Sequence, residues 1–281
     1  MEIYSPQEIK KIRLPASNSN GEDNGSITII GGSDLFHGAP HLAMITASRF
    51  VDMVFFTSPE PSMGKIAEHL KSRLMSFIWM PFSEIKQYIK KSDAILIGPG
   101  LMRYRSEKDH PGEKKVNDRA GRETQKLTKE LLTAFPDKKW VIDAGSLQVM
   151  EPEWIPSGAI LTPNKKEYTL LFGNQDIKEA ASKYNCTIVL KGKETQVVSP
   201  EKTIIVKGGN AGLTKGGTGD VQAGLTVALL AKNESLFAAT TAAYLVKAAA
   251  DNLFSKVGYY YNADDVANDV PHTLQLLLKT K

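Results

Sequence analysis

The sequence predicts an α/β protein with a mostly parallel central sheet, helices on both faces of that sheet and an antiparallel hairpin at its edge. Short, continuous apolar segments alternate along the chain with helical segments such as residues 123–134, which is the pattern of parallel strands covered on both faces. Two later apolar segments flank the four residues 199–202, which is typical of a hairpin with a tight turn. The parallel segments also end in clusters of Gly, Pro, Asp or Lys.

These patterns predict the elements in chain order. A short helix is expected within residues 1–14, beginning at Ser5 and Pro6, because proline is favoured in the first turn of a helix. The polar residues 17–25 should form a loop. The predicted strands are residues 27–30, 53–57, 94–97, 140–142, 159–161 and 187–190, with hairpin strands at 196–198 and 203–206. The predicted helices are residues 41–50, 123–134, 224–231 and 236–254.

Length and composition limit the number of domains and the kind of protein that the chain can form. The chain has 281 residues and 42% hydrophobic content, which allows one large α/β domain over residues 1–281. The single cysteine, Cys186, precludes an intrachain disulfide and indicates a cytoplasmic protein, and its place before an apolar strand indicates a small buried residue. No stretch reaches the roughly 18 apolar residues of a spanning helix, and residues 1–15 lack the apolar core of a signal peptide, so no membrane association is expected.

Charge is informative in two places. The formal net charge of +4 suits a small anionic ligand, and because neither a zinc-binding spacing nor an RNA-binding aromatic motif is present, nucleic acid is not expected as a partner. The segment 103–122 is dense in charge and nearly free of apolar residues. It is expected to be a solvated surface loop, and a lid or a contact between subunits is the alternative.

The most informative motif is Gly216-Gly217-Thr218-Gly219-Asp220, which precedes a helical segment. Its glycines allow a tight turn whose amide N–H groups approach an anion, and a helix N-terminus favours phosphate. The structural role of the acid at its end would be a helix cap. Beside a transferring phosphoryl group, its carboxylate can instead accept the proton of an attacking hydroxyl. The motif therefore predicts a phosphate site with a catalytic base.

Other strand ends carry further candidate groups. In open α/β sheets, ligands bind beyond the carboxyl ends of the strands, so we expect these clusters to converge at one edge. Lys191 ends a strand and can neutralise a phosphate, although a solvated strand end is an equal alternative. Asn210-Ala211-Gly212 is either a plain loop or a second wall of the phosphate site, and Gly98-Pro99-Gly100 makes room for a ligand or only for a side chain.

Taken together, these motifs resemble those of the ADP/ATP-dependent NAD(P)H-hydrate dehydratase family, within the ribokinase-like superfamily. The matching motifs, in the order of the family, are Gly31-Gly32-Ser33, Gly38-Ala39-Pro40, Gly98-Pro99-Gly100-Leu101, Val141-Ile142-Asp143-Ala144, Leu161-Thr162-Pro163, Leu190-Lys191-Gly192-Lys193, and Asn210-Ala211-Gly212 through Gly216 to Asp220. Any one of them is weak, but seven in order at strand ends are specific. The resemblance implies a ribokinase-like three-layer sandwich.

The resemblance also implies a repair reaction. The substrate would be NADH or NADPH that is hydrated at C6 of the nicotinamide ring. A nucleotide, either ADP or ATP, would phosphorylate that hydroxyl, and loss of phosphate, a far better leaving group than hydroxide, would restore the double bond. Magnesium is expected on the nucleotide, without a dedicated set of metal ligands in the protein. The alanine-rich segment 236–254 is expected to be buried against the sheet or a neighbouring subunit, so a homo-oligomer is expected.

The resemblance also implies a role for the residues at the matched positions. Asp220 would be the base that activates the hydroxyl, and Gly217, Thr218 and Gly219 would hold the transferring phosphoryl group as an oxyanion hole does. The residues expected along the adenine nucleotide are Lys191, Gly192, Lys193, Glu194, Thr195, Asn210 and Gly219. The residues expected at the hydrated dinucleotide are Ala39, Gly100, Asn164 and Asp220.

Three features depart from the family pattern and bear on the exact substrate. Asn164 stands where the family usually has histidine, and an amide can hydrogen-bond a substrate but cannot carry a proton at neutral pH. Gly145 stands where the family usually has the second acid of an Asp-Ala-Asp string, and segment 103–122 is longer than expected. Two alternatives stay open: a ribokinase-like kinase of a small vitamin-precursor alcohol, and a nucleotide-binding sensor that has lost catalysis.

Overall fold

Ten β-strands form one sheet that runs through the protein. The computed structural model describes residues 1–104 and 119–279. The strands are β1 (Glu2–Ile3), β2 (Ser26–Ile30), β3 (Met53–Thr57), β4 (Ile78–Trp79), β5 (Ala94–Ile97), β6 (Lys139–Ile142), β7 (Ile160–Leu161), β8 (Thr187–Leu190), β9 (Thr195–Val198) and β10 (Thr203–Val206). Their order across the sheet is β1-β10-β9-β8-β7-β6-β5-β2-β3-β4. Among these ten strands, β9 alone runs antiparallel to its neighbours.

Helices cover both faces of the sheet. They are α1 (Gly38–Ala47), α2 (Ser62–Leu70), α3 (Ile85–Lys91), α4 (Arg119–Ala134), α5 (Ala144–Val149), α6 (Lys165–Phe172), α7 (Ile177–Lys183), α8 (Thr218–Lys232), α9 (Ser235–Val257) and α10 (Ala263–Lys279). Helices α1, α2, α8, α9 and α10 contribute to the core on one face, and α3 to α7 contribute to the core on the other. The predicted three-layer arrangement is therefore confirmed.

Side chains along the central strands alternate between these two cores. On β2, Ile29 belongs to the core beneath α1 and α8, whereas Ile30 belongs to the opposite core. On β6, Val141 faces the first core while Trp140 and Ile142 face the second. Because neighbouring residues of a strand point to opposite faces, a strand covered on both faces is apolar at most positions. This burial is the physical origin of the continuous apolar segments in the sequence.

The hairpin is confirmed, but it does not form the outermost strand. Thr203 of β10 lies opposite Val198 of β9, and the turn is closed by a hydrogen bond of 2.8 Å from the Ser199 N–H to the Lys202 carbonyl. Strand β1 pairs in parallel with the free side of β10. The antiparallel strand therefore lies near the edge of the sheet, inside two further strands.

A strand that the sequence did not predict precedes the helix expected at Ser5 and Pro6. Glu2 and Ile3 form β1, and the Tyr4 N–H donates to the Ile205 carbonyl at 2.9 Å. A 3-10 helix, Pro6–Lys11, follows with proline in its first turn as expected. The extended start is favoured because it satisfies backbone groups that β10 would otherwise leave unpaired at the edge of the sheet.

Several helix boundaries extend beyond the apolar pattern that predicted them. Helix α8 begins at Thr218 and α4 at Arg119, because a polar first turn can be helical before the apolar period begins. Residues 119–122 of the predicted charged loop are therefore helical, and residues 105–118 of that loop lie outside the described residues.

Close packing places α1 against the start of α8. A Cβ atom at Gly224 of α8 would lie 2.3 Å from the carbonyl oxygen of Ala43 on α1, so only glycine permits this approach. Leu42 of α1 reaches the residue that precedes α8, Gly217. Within residues 1–104 and 119–279, no helix combines the length and the apolar character that crossing a membrane requires.

Candidate active site

The carboxyl ends of the parallel strands meet at one edge of the sheet, as predicted. The Gly32 N–H donates to the Pro99 carbonyl at 2.8 Å, and the Gly145 N–H donates to the Gly98 carbonyl at 3.2 Å. These bonds join the ends of β2, β5 and β6. Gly98 has a φ of 125°, and a Cβ there would lie 1.8 Å from the carbonyl oxygen of Asp143. Glycine is therefore required where these strand ends approach one another.

A buried carboxylate follows β6. The side chain of Asp143 is 2% exposed, and its Oδ1 accepts hydrogen bonds from the Thr162 hydroxyl at 2.8 Å and from the Lys191 ammonium at 3.0 Å. A buried carboxylate is tolerated only when such partners compensate for its lost hydration. Asp143 therefore holds the ammonium of Lys191 at a defined place beyond the end of β8.

The ammonium of Lys191 also faces the start of α8. A Cβ at Gly219 would lie 3.3 Å from its Nζ. Burial lowers the pKa of Lys191, but the carboxylates of Asp143, Glu167 and Asp220 raise it by more, so that its pKa lies above the ordinary value. The side chain therefore stays charged at neutral pH. Of its two predicted alternatives, a phosphate-neutralising cation and a solvated strand end, this placement supports the first.

The glycine-rich motif forms the N-terminus of α8, as predicted. Gly217 precedes the helix with a φ of 92°, and a Cβ there would lie 2.4 Å from Cδ1 of Leu42. Thr218 and Gly219 are the first two helical residues. The Thr218 hydroxyl donates to the Leu213 carbonyl at 2.7 Å, so it holds the preceding loop. The first amide N–H groups of a helix have no partner within that helix, and together with the lysine they could bind an anion.

Asp220 is the third residue of α8, whose N-cap is Gly217, so the capping role considered for it is wrong. Burial raises the pKa of Asp220 to about 7, as do the charges of Asp143 and Glu167, against the lowering effect of Lys191. The carboxyl group therefore changes charge near neutral pH. This is the range in which a general base is most effective.

Asn164 caps α6 together with a buried acid. Its Oδ1 accepts from the Glu167 N–H at 3.0 Å, and its own N–H donates to Oε2 of Glu167 at 2.9 Å. Oε1 of Glu167 accepts from the amide of Gln148 at 3.0 Å, and burial raises the pKa of Glu167. Asn164 also forms a parallel bridge with Lys191. The side-chain oxygen of Asn164 is thus engaged in the cap.

A cavity of about 620 Å³ opens beside Lys191 and the start of α8. Its walls come from the loop between β8 and β9, the loop after β10, and helices α8 and α9. It is lined by Asn164, Lys191, Gly192, Lys193, Thr195, Gly208, Gly209, Asn210, Ala211, Leu213, Thr214, Thr218, Gly219, Gln222, Val246 and Lys247. Six of the seven residues expected along the nucleotide lie in this lining, and the volume suits a nucleotide.

Glu194 is the expected residue that does not line the cavity. Its carboxylate lies 3.7 Å from the ammonium of Lys207, and both side chains are more than half exposed. Thr195, the next residue, is buried and lines the cavity. Successive residues that enter a strand point to opposite sides, which explains why only one of this pair faces the cavity.

The sequence reasoning missed Lys247 on α9. Its side chain is 6% exposed, and its ammonium donates to the carbonyls of Gly192 at 3.2 Å, Lys193 at 2.8 Å and Gly208 at 3.0 Å. One side chain thus joins the loop after β8 to the loop after β10. A lysine within an otherwise alanine-rich, apolar helix was the signal that could have revealed it.

Asp251, one turn further along α9, holds the same wall from its other side. Its carboxylate accepts from the Gly209 N–H at 2.8 Å and from the amide of Asn210 at 3.1 Å. Oδ1 of Asn210 accepts in turn from the Gly212 N–H at 3.0 Å and from the Tyr261 hydroxyl at 2.5 Å. The side chain of Asn210 is therefore used to shape the loop that lines the cavity.

Ala39 and Gly100 lie together, apart from Asn164. Gly100 is buried with a φ of 72°, and a Cβ there would lie 2.4 Å from the Phe36 carbonyl oxygen and 3.0 Å from Cδ of Pro40. Ala39 is half-buried in the first turn of α1. The structure therefore brings two of the residues expected at the dinucleotide to the ends of β2 and β5, whereas Asn164 lines the cavity of about 620 Å³.

A second cavity, of about 530 Å³, adjoins these strand ends. Gly32, Ser33 and Asp34 line it after β2, and Leu101 and Met102 line it after β5. Its outer wall is formed by residues of α4. Two cavities therefore open at this edge of the sheet, one beside Lys191 and the start of α8 and one beside the ends of β2 and β5.

The packing around Gly145 explains why this chain lacks the second acid of the family pattern. A Cβ at Gly145 would lie 2.2 Å from the carbonyl oxygen of Leu101. The preceding residue, Ala144, has a φ of 45°, which is unusual for a residue with a side chain. In this chain the turn after β6 is packed so closely on the loop after β5 that no larger residue fits at Gly145.

Comparison with known proteins gives relatives of this chain. A family model described as NAD(P)H-hydrate dehydratase matches residues 27–272. A bifunctional NAD(P)H-hydrate repair enzyme of Methanocaldococcus jannaschii is 33% identical over 282 residues, which cover 96% of this chain and 52% of that enzyme. The chain spans about half the length of the curated relatives that it matches first. An ADP-dependent (S)-NAD(P)H-hydrate dehydratase of Nitrosopumilus maritimus is 27% identical over 281 residues, which cover 90% of each chain.

The fold has known counterparts as well. An ADP/ATP-dependent NAD(P)H-hydrate dehydratase from Bacillus subtilis, co-crystallised with ATP/Mg²⁺, superposes with a TM-score of 0.78 and 21% identity over 98% of each chain. The comparison of folds, which also matches ribokinase-like superfamily proteins, confirms the ribokinase-like sandwich. Since the family model extends over nearly the whole sequence, from β2 into α10, this chain belongs to the NAD(P)H-hydrate dehydratase family.

Proposed function

We propose that this protein dehydrates hydrated NADH or NADPH, using ADP or ATP as the phosphoryl donor. The observation that carries the proposal is the position of Asp220, whose pKa is about 7, at the third residue of a helix whose first turn faces the ammonium of Lys191. A base and an anion site thus lie within a few residues of each other. Membership of the family supports the substrate class that is proposed.

The first step is phosphoryl transfer. Asp220 would take the proton of the C6 hydroxyl as that oxygen attacks the terminal phosphorus of the nucleotide, and the bond from that phosphorus to the nucleotide breaks. Lys191 and the N–H groups of Gly217 to Gly219 would neutralise the charge on the transferring group. The Asp143 carboxylate would hold Lys191 for this task.

The second step is elimination. The carbon–oxygen bond at C6 breaks, phosphate leaves with the bonding electrons, and the lone pair of the ring nitrogen supplies the electrons that expel it. Loss of a proton from C5 then forms the double bond. Lys191 and the start of α8 would stabilise the departing phosphate as they stabilised the transferring group, because the same negative charge develops there.

The residues present fit a magnesium ion that arrives with the nucleotide. Within residues 1–104 and 119–279, no group of three or more His, Cys, Asp or Glu side chains could hold a metal ion by itself. Mg²⁺ is commonly bound by one or two carboxylates together with substrate phosphates. Asp220 lies in the first turn of α8, and Asp143 is close enough for its charge to raise the pKa of Asp220. The ion would neutralise charge on the phosphates.

The nucleotide is proposed to occupy the cavity of about 620 Å³, with its phosphates at Lys191 and Gly219 and its nucleoside between Lys193, Thr195 and Asn210. The hydrated dinucleotide is proposed to reach Asp220 from the side of Ala39 and Gly100, where the second cavity begins. Asn164 would contribute at the junction through its amide nitrogen.

Further properties belong to the same proposal. We propose one domain over residues 1–281, supported by a single sheet that takes strands from Glu2 to Val206 and by α8 to α10 packed upon it. A cytoplasmic location is supported by a substrate that is a form of the soluble cofactor NAD(P)H. A homo-oligomer is supported by the exposed apolar side chains Phe254, Val257 and Tyr260 around the end of α9.

The test is direct. The protein is mixed with hydrated NADH, Mg²⁺ and either ADP or ATP, and the recovery of reduced-nicotinamide absorbance is followed. Failure of recovery with both nucleotides would overturn the proposal. The kinase alternative shares the phosphoryl-transfer residues and differs in its product, so accumulation of a stable phosphorylated alcohol would favour it. Nucleotide binding without any turnover would favour the sensor.

A further inference from the structure

Gln222 carries a buried amide nitrogen that the protein leaves unsatisfied. The residue lies on α8, and its side chain is 8% exposed. Among the described residues, none makes a hydrogen bond with its Nε2. Buried amide groups in folded proteins almost always have a partner, and an unpaired donor destabilises the folded state. The amide is therefore placed for a purpose other than the stability of the free protein.

The Gln222 side chain lies at the wall of the cavity in which the nucleotide is proposed to bind, and rotation about its last side-chain bond would turn the amide nitrogen into that cavity. Gln222 is one of the residues that line it. It follows Gly219 by three positions, which places it on the same face of the helix and about 4.5 Å further along the helix axis. The amide thus lies one turn beyond the proposed phosphate site. Val246 of α9, which is 3% exposed, and Leu213 line the same cavity.

The chemistry of the amide matches a nucleoside better than a phosphate. The phosphate end of the cavity already has the ammonium of Lys191 and the N–H groups at the start of α8, and charged donors bind phosphate oxygens most strongly. A carboxamide is neutral and offers both a donor and an acceptor. A nucleoside offers the same combination of hydrogen-bond donors and acceptors, in the ring nitrogens and amino group of the purine and in the hydroxyls of the ribose.

We propose that Gln222 is a specificity-determining residue that hydrogen-bonds the nucleoside part of the adenine nucleotide. The inference rests on the proposed function for the identity of the nucleotide. In the complex, the ligand supplies the partner that the protein lacks, and the side chain gains affinity for the ligand at the expense of stability in the free protein.

The experiment compares Gln222→Met and Gln222→Glu with the wild-type protein. Methionine has nearly the same length without polar hydrogens, and glutamate keeps the acceptor but loses the donor. The dissociation constants of ADP, AMP and pyrophosphate are measured by calorimetry without the hydrated dinucleotide, and the melting temperature is measured without ligand. Gln125→Met is the matched control, because the amide nitrogen of Gln125 donates to the Val149 carbonyl at 2.8 Å, away from the cavity.

We expect substitution of Gln222 to change ligand affinity and substitution of Gln125 to change stability. Gln222→Met weakens the binding of ADP and of AMP by the same factor, about tenfold. It leaves the affinity for pyrophosphate unchanged, and the melting temperature without ligand stays equal or rises. Gln222→Glu weakens ADP at least as much. Gln125→Met lowers the melting temperature and leaves the ADP affinity unchanged.

Three results would overturn the inference. Unchanged ADP affinity in both Gln222 variants would exclude the contact. A loss with ADP that is absent with AMP would assign Gln222 to the phosphates. If the wild-type protein bound no adenine nucleotide, Gln222 would have no nucleoside to contact and the inference would fail. A wild-type protein that binds ADP as described but does not restore NADH from its hydrate would contradict the proposed function and leave the role of Gln222 intact.

Discussion

Lys191 donates a hydrogen bond of 3.0 Å to Asp143, whose side chain is 2% exposed. The carboxylate comes from the end of β6 and the ammonium from the end of β8, with β7 between them in the sheet. The pair therefore connects the centre of the sheet to the helix N-terminus at which phosphate is proposed to bind. Its geometry gives the first prediction.

Lys191→Met should destabilise the fold, because it leaves the buried carboxylate of Asp143 without its cation. We expect the free energy of unfolding to fall by about 3 kcal/mol, measured by urea denaturation. Lys86→Met is the control, since Lys86 pairs with Glu130 at 2.9 Å but both side chains are at least half exposed, and such a pair contributes less than about 1 kcal/mol. Equal losses in the two variants would contradict the buried-pair interpretation. The double variant Lys191→Met, Asp143→Asn should regain much of the loss.

The pH dependence of kcat/KM should report Asp220. Because burial and neighbouring carboxylates raise the pKa of Asp220 to about 7, the base is protonated below that pH, and the rate should fall about tenfold per pH unit under it. The rate should be level above it. Glu167→Gln removes a charge that raises this pKa while keeping an acceptor for the α6 cap, so the acid limb should move to lower pH. An acid limb near pH 4 in the wild-type protein would be the contrary result.

Asp220→Ala should abolish turnover and leave nucleotide binding largely intact, as measured by absorbance recovery and by calorimetry with ADP. A variant that restored NADH at the normal rate would exclude the role of Asp220 as base.

Asp220→Asn should stabilise the protein at alkaline pH. Because the pKa of the folded state is raised above 3.8, the stability contribution of Asp220 is complete below about pH 4 and is lost as the pH rises through about 7. The variant avoids that loss. Its melting temperature should exceed that of the wild type by roughly 2–4 °C at pH 8, and the two should converge near pH 4. A difference that is the same at both pH values would point to packing instead of charge.

Alanine substitutions along the phosphate turn should separate folding from binding. At Gly217 an added Cβ meets Leu42 at 2.4 Å in a backbone of positive φ, so Gly217→Ala should lower stability, by about 2 kcal/mol or more. At Gly219 it meets only the ammonium of Lys191 at 3.3 Å, so Gly219→Ala should keep its melting temperature and weaken ADP. Gly216→Ala enters open space and is the control for both measurements. A Gly219 variant that binds ADP normally would argue against the phosphate site.

Lys247→Met should widen the nucleotide cavity, because three backbone carbonyls in two loops lose their shared donor. We expect the KM for the nucleotide to rise about tenfold with a smaller change in kcat, together with a loss of about 1–3 kcal/mol in stability. Lys256→Met, on the exposed side of the same helix, should change neither KM nor kcat. Unchanged KM in the Lys247 variant would show that the loops hold their spacing without it.

Much of the fold was predictable because local patterns determine it. Strands buried on both faces are apolar at most positions, and Ser199 to Lys202 form the turn that their position predicted. Cys186 is buried as expected, and burial raises the pKa of its thiol to about 12. The strand at the start of the chain was not predicted, because the pairing of Glu2 with Ile204 joins residues that are distant in sequence.

The candidate site was predictable where a motif carries the chemistry, as at Gly217 to Asp220. It was not predictable where a side chain acts through distant backbone. Lys247 and Asp251 lie in a helix whose composition indicates only burial, and their partners are more than thirty residues away. The separation of Asn164 from Gly100 is likewise a property of the sheet order, which places β7 and β8 on the nucleotide side of β6.

Among the described residues, the hydrogen bonds of the Lys247 ammonium go to backbone oxygens of the two loops that it joins, and a backbone oxygen is present whatever side chain its residue carries. The spacing of the two walls is therefore independent of the side chains at Gly192, Lys193 and Gly208. A change of side chain at Lys193 would therefore alter the lining of the cavity without altering its width, whereas Gly208, with a φ of 88°, stays restricted to glycine by its backbone. The width of the cavity in which the nucleotide is proposed to bind is therefore maintained by a side chain of helix α9.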